Sequence, residues 1–83
     1  MRPSKAWHLY ILECADGTYY TGVTNDISKR IEKHNSGKGA RYTRARSPVT
    51  LVYQESCASR SEALIRECAI KALPRKKKAR LFL

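Results

Sequence analysis

The sequence predicts an α+β domain: a small three-stranded antiparallel sheet with helices packed around it, in the order β-β-α-β-α-α. Three observations predict it. Two β-rich apolar runs, residues 8–14 and 18–24, flank Asp16-Gly17, the strongest short-range hairpin signal. Ile27 and Ile31 recur at helical spacing behind the capping side chains of Thr24, Asn25 and Asp26. Finally, 83 residues suffice for one hydrophobic core and leave too little chain for a second, so a single domain is expected over residues 1–83.

The remaining elements follow from their local chemistry. The first helix runs to Gly37, and Gly37-Lys38-Gly39 opens a flexible basic loop over residues 38–47. Pro48 precedes a short apolar run, residues 49–53, that reads as the third strand. A second helix starts at Ser59 and extends to about residue 73. Its rotation of about 100° per residue places Leu64, Ile65, Cys68 and Ala72 on the core arc and Glu67 on its flank, with Glu62 and Arg66 pointing away. Pro74 suits the first turn of a third helix over residues 74–81, where its missing N–H costs nothing.

Composition narrows the function. At 42% apolar the chain is too hydrophobic for a disordered basic tail, yet no apolar run approaches the ~20 residues of a membrane span. No membrane partner is expected. Cys14, Cys57 and Cys68 form neither an even framework nor a CxxC pair, which points to three small buried side chains in a reducing compartment and a cytoplasmic location. Lys and Arg number 17 against 7 Asp and Glu, a net charge of +10. The excess is concentrated between Lys29 and Arg46 and again after Glu67, which is the footprint of a polyanion-binding surface. Gly37-Lys38 is not a phosphate-binding P-loop, because Glu32 stands at the first glycine position and Gly39 at the Ser/Thr position.

Five side chains carry the chemistry. Ile27, Arg30, Ile31 and His34 fall at i, i+3, i+4 and i+7, so Arg30 and His34 share the stripe that faces the sheet. Glu67, at the edge of its helix arc, needs a partner; Lys71 at i+4 is the plain one and a divalent cation the functional one. Together with Tyr10 in His8-Leu9-Tyr10 and Tyr20-Thr21-Gly22, these residues resemble the GIY-YIG nuclease superfamily, nearest to its small stand-alone (UPF0213-like) bacterial members. The stretch from Ser36 to Thr43 resembles that subgroup too. Both tripeptides are degenerate, with His8-Leu9 for Gly-Ile and Thr21 for Ile, so the joint spacing carries the likeness.

The resemblance implies a metal-dependent endonuclease that hydrolyses phosphodiester bonds in DNA (RNA not excluded), with a role in DNA repair or processing. It implies Tyr10, Tyr20, Arg30, His34 and Glu67 as catalytic residues. Glu67 would be the single protein ligand of one Mg²⁺ or Mn²⁺, an arrangement Mg²⁺ favours because it keeps most of its waters. Tyr10 would take a proton from the attacking water, although a phenol of pKa ~10 needs nearby positive charge, from Lys29 or Arg41, to lower it. Which tyrosine is the base stays open. Arg30 would meet charge developing on the phosphate, Tyr20 would orient water or phosphate, and His34 would shuttle a proton or hold the phosphate. Relatives place a lysine where this chain has Val23.

Both tyrosines must lie on one side of the hairpin. A two-residue turn would separate them; a three-residue loop over residues 15–17, with Gly17 left-handed, pairs Cys14 with Thr18 and aligns them. Nucleic-acid contacts are expected from Lys29, Lys38, Arg41, Tyr42, Arg44, Arg46, Lys71, Lys76 and Lys77, and targeting from an unidentified partner protein. The rival reading is a DNA- or RNA-binding protein that uses loop 38–47 and the C-terminal basic helix without cutting.

Overall fold

In the computed structural model, which describes residues 6–82, the hairpin closes through the three-residue loop. Cys14 N–H donates to Thr18 O at 2.8 Å, Gly17 N–H to Cys14 O at 2.9 Å, and Gly17 has φ +83°, which a side chain would strain. Asp16 Oδ1 braces the turn by accepting from Thr18 N–H at 3.1 Å and Thr18 Oγ1–H at 2.6 Å. Strands β1 (Trp7–Glu13) and β2 (Tyr19–Thr24) therefore pair with Tyr10 opposite Gly22 and Leu12 opposite Tyr20. The two tyrosines share a face, as the sequence required. The ends of the domain expected over 1–83 lie outside the described residues.

The antiparallel sheet has the order β2-β1-β3, with β1 central and Leu9, Tyr10, Ile11 and Leu12 each 1% exposed or less. Such a strand is covered on both faces. On one, Ile27 and Ile31 of α1 (Ile27–Asn35) pack on Tyr10, Leu12, Cys14 and Val49. On the other, Leu9 and Ile11 meet Ile70, Leu81 and Phe82. Asp26 caps α1 as expected, accepting from Lys29 N–H at 3.2 Å. Strand β3 (Thr50–Cys57) outruns the apolar run at 49–53, because its half-polar second part, Gln54 to Cys57, pairs along the start of β1 as an edge. Its register slips between Ile11 and Leu12, where Val52 is the extra residue.

Three expectations are corrected. Loop 38–47 is not a plain loop: it holds a short helix, α2 (Arg41–Arg44), with Thr43 fully buried. Arg46 pins it to the hairpin, donating from Nε to Asp16 Oδ2 at 3.0 Å and from Nη1 to Tyr42 O at 2.8 Å. Helix α3 (Arg60–Lys71) turns Ala63 and Ile70 inward and leaves Leu64, Ile65 and Cys68 exposed. Small Ala63 lets the helix approach the sheet, and Arg66, expected to point away, instead grips Glu55 of β3 through two bonds of 2.9 and 2.7 Å. Cys68 is thus exposed, while Cys14 and Cys57 are buried as expected. Helix α4 (Arg75–Ala79) is shorter than residues 74–81, with Pro74 as its cap residue.

Candidate active site

Tyr10 is the centre of the site, and Gly22 is the reason its ring can lie where it does. The tyrosine is cross-strand from Gly22, and a Cβ at that position would collide with the Tyr10 hydroxyl. The ring occupies the space of the missing side chain. Its hydroxyl reaches His34 Nε2 at 3.1 Å, and His34 Nδ1 lies 2.7 Å from Thr43 Oγ1. Thr43 Oγ1 donates onward to Ala40 O at 3.0 Å, so towards His34 it accepts. That assigns the proton on the imidazole: Nδ1 carries it, and Nε2 is bare towards Tyr10. The network thereby makes the Tyr10 hydroxyl the donor to His34.

Electrostatics agrees with this assignment. Burial, then the neighbouring Arg30, holds His34 below its ordinary pKa, so the ring is neutral at pH 7. Burial, then the Tyr20 phenol, pushes Tyr10 up to about 12, and the Arg30 guanidinium offsets this only in part. The expectation of a phenol depressed by nearby cations is corrected: desolvation outweighs the charge. Lys29 and Arg41, the cations expected to do it, are not among the groups that dominate the shift. His34 is 1% exposed, which leaves it no surface for a phosphate.

The other residues meet around a cleft of about 280 Å³ lined by Tyr10, Tyr20, Gly22, Arg30, Leu64 and Glu67. Tyr20 stands edge-on to His34, with ring centroids 5.1 Å apart, and 6.4 Å from Tyr10. Glu67 is spaced i+4 from Ala63 and i−3 from Ile70, so the inward stripe of α3 carries its carboxylate to the cleft. Lys71 Nζ approaches Glu67 Oε2 at 3.5 Å, the plain i+4 partner, and the Glu67 side chain stays 20% exposed. Among the described residues no group of three or more His, Cys, Asp or Glu is gathered. A lone half-buried carboxylate opening on a phosphate-sized cleft fits a hard divalent cation that keeps its waters, and does not fit an all-protein cage.

Residues 6–80 match the family model described as the GIY-YIG catalytic domain. The chain belongs to the GIY-YIG family. It is 56% identical over 75 residues to a UPF0213 protein of Halobacterium salinarum, covering 90% of this chain and 97% of that one. It is 64% identical over 69 residues to a UPF0213 protein of Desulfotalea psychrophila, 82% of this chain and 63% of the relative. Among solved structures, it resembles the solution structure of a UPF0213 protein from Bacillus halodurans, with TM-score 0.59, 50% identity and coverage of 92% and 81% of the two chains. A protein from E. faecalis gives TM-score 0.63 at 39% identity, over 98% and 88%. GIY-YIG proteins are a nuclease family, so nucleic acid is the substrate class that membership brings. The UPF0213 designation names no activity.

The cations expected to touch nucleic acid on this GIY-YIG domain divide by engagement. Lys29, Lys38, Arg41, Arg44, Lys76 and Lys77 are exposed. Lys71 is drawn towards Glu67. Arg46 is engaged within its loop, with its guanidinium 4.0 Å from the centre of the Tyr42 ring. Tyr42, 38% exposed, also stacks on Tyr20 with centroids 6.2 Å apart, so the basic loop is coupled to the cleft through an aromatic contact. Two residues escaped the sequence reading: Gly22 as the seat of the Tyr10 ring, and Thr43 as the partner of His34. Thr43 had no periodic signal, because the helix that buries it is four residues long.

Proposed function

We propose that this protein is a metal-dependent endonuclease that hydrolyses phosphodiester bonds in DNA at the Tyr10 cleft. The observation that carries the reading is the convergence of Tyr10, Tyr20, Arg30 and Glu67 on one cleft, with His34 wired directly behind Tyr10. A phenol with a pKa near 12 is a poor base by itself. Hydrogen-bonded to a bare Nε2, it can accept the proton of an attacking water while passing its own proton to His34, so no free phenolate is formed. The water oxygen forms the new P–O bond, one ester P–O bond breaks, and its oxygen takes a proton from solvent to leave as the hydroxyl of the released strand. Arg30 and Tyr20 line the same cleft, which supports a role for Arg30 in meeting the charge that builds on the phosphoryl oxygens and for Tyr20 in orienting the phosphate. A single Mg²⁺ or Mn²⁺ on Glu67 would supply Lewis-acid stabilisation of that charge and lower the pKa of bound water. Lys71 Nζ lies 3.5 Å from Glu67 Oε2, so the ion would share that carboxylate with Lys71.

The test is plasmid nicking with Mg²⁺ or Mn²⁺ by the wild-type protein, Glu67→Ala and Arg30→Ala, with RNA and DNA strands compared. Metal-dependent nicking that both substitutions reduce by about 10² or more supports the reading. Salt-sensitive binding with no wild-type cleavage in either metal replaces it with the non-cutting one.

A further inference from the structure

The proposed chemistry leaves Trp7 without a role, although it lines the catalytic cleft beside Tyr10 and Arg30. It is the only tryptophan in the chain. A tryptophan used for packing belongs to an apolar cluster. Trp7 is in neither of the two clusters found among the described residues, and it is half-buried at the first position of β1. Arg60 stands over its ring, 5.8 Å from the centroid.

Trp7 also lines a second cleft, of about 290 Å³, next to the first. Its walls include Val23, Asn25, Lys29, Arg30 and Lys33, so the two clefts share Trp7, Val23 and Arg30. One wall is an aromatic plate and an aliphatic side chain; the other is a row of cations on the first turns of α1. Asp26 is the one carboxylate there, and its Oδ1 is occupied in capping Lys29 N–H. Three cations against one engaged carboxylate leave the cleft positive. A flat apolar surface facing fixed positive charge matches a nucleotide, with the base on the indole and phosphates on the lysines. A base paired within a duplex presents no free face to such a plate, so it must be unpaired to enter.

We propose that the Trp7 cleft is a nucleotide subsite that takes one unpaired base adjoining the scissile phosphate, which directs this nuclease to single-stranded, frayed or flap-like positions. Its place beside the scissile phosphate rests on the catalytic reading above, because Arg30 belongs to both clefts. The stacking itself does not.

The sole tryptophan makes the site self-reporting. Its fluorescence is followed in EDTA, without turnover, during titration with a short oligothymidylate strand, an abasic strand of equal length and charge, and a blunt duplex. Binding of each is read independently by anisotropy of a labelled strand. Saturable quenching by oligothymidylate, and none by the abasic strand when it is bound, is the expected result. Trp7→Ala should weaken oligothymidylate binding about five- to a hundredfold with the abasic affinity unchanged, while Trp7→Phe stays near wild type and shows that the position folds with a smaller ring. Lys29→Ala with Lys33→Ala should shift the quenching midpoint to higher strand concentration. Equal quenching by the abasic strand, or unchanged oligothymidylate affinity in Trp7→Ala, overturns the subsite. Equal quenching by blunt duplex overturns the unpaired-base requirement. Quenching without cleavage under any metal would overturn the catalytic reading and leave the subsite standing.

Discussion

The hydrogen-bond chain from Tyr10 through His34 to Thr43 places its demands on single atoms. In Thr43→Val the Nδ1–H of a buried imidazole loses its acceptor, at a cost of about 1–3 kcal/mol. The proton is then free to move to Nε2, which turns a bare acceptor into a donor facing Tyr10. We expect the His34 ring-nitrogen NMR shifts to report the change of tautomer and cleavage to fall by about tenfold or more, with Thr43→Ser restoring both. Gly22→Ala attacks the same chain from the other end, because its methyl occupies the space of the Tyr10 hydroxyl. Displacing Tyr10 by about 1 Å is expected to cost about 10²-fold in cleavage. The pH dependence has a definite sign. The pKa of His34 is lower folded than unfolded, so its stabilising contribution is complete above the unfolded value of 6.5 and is lost as pH falls from there through the folded value. Urea midpoints measured from pH 7.5 to 5 should decline below about pH 6.5, and His34→Gln should flatten that decline.

At the level of elements, the rotation of α3 decides whether Glu67 reaches the cleft, and the Glu55–Arg66 pair fixes that rotation from β3. Glu55 accepts from Tyr53 Oη–H at 2.5 Å and from both Arg66 donors, and the arginine bonds hold its carboxyl below the ordinary range. Because Arg66 is 43% exposed, solvent screening keeps the pair's worth near 1 kcal/mol, a drop of about 5 °C in Tm for Arg66→Leu by thermal denaturation. Acidification through the depressed Glu55 value should remove the same stability. This rotation was not legible in the sequence. Leu64, Ile65 and Cys68 are the more hydrophobic set, and amphipathic periodicity selects them; only the fit of Ala63 against the sheet and the reach of Arg66 to Glu55 select the other face. The hairpin was legible, since Asp16-Gly17 and the need to align two tyrosines leave a single loop length. So was His34, because a nine-residue helix with two isoleucines has one inward stripe, whereas Arg30 at its border is exposed and lines the cleft. Thr43 and Trp7 carried no pattern, one lying on a single short turn and the other at a strand end.

Across the whole molecule, both basic blocks are fastened to the same three-residue loop. Arg46 ties the α2 loop to Asp16, with Ala15 N–H donating to Arg46 O at 2.8 Å, and Arg75 ties α4 to Gly17 O at 2.7 Å. The charge asymmetry of a +10 chain was plain in the sequence, whereas this junction depends on contacts between residues 30 and 58 positions apart. Because both elements are fastened to one point, we expect a nucleic-acid strand that crosses the hairpin end to meet the exposed cations Arg41 and Arg44 of α2 and Lys76 and Lys77 of α4. Each phosphate neutralised on a single strand releases counterions and adds about 0.7 to the slope of log K against log salt. If one strand spans both blocks, Arg41→Ala with Arg44→Ala should lower the slope by about 1.4, Lys76→Ala with Lys77→Ala by about 1.4 more, and the four together by about 3. Anisotropy titrations from 50 to 300 mM salt, in EDTA to prevent cleavage, measure this directly. A slope indifferent to the α4 pair would confine the footprint to the α2 loop and make Arg75 a purely structural tie; equal losses from the two pairs make the hairpin tip the floor of one binding track.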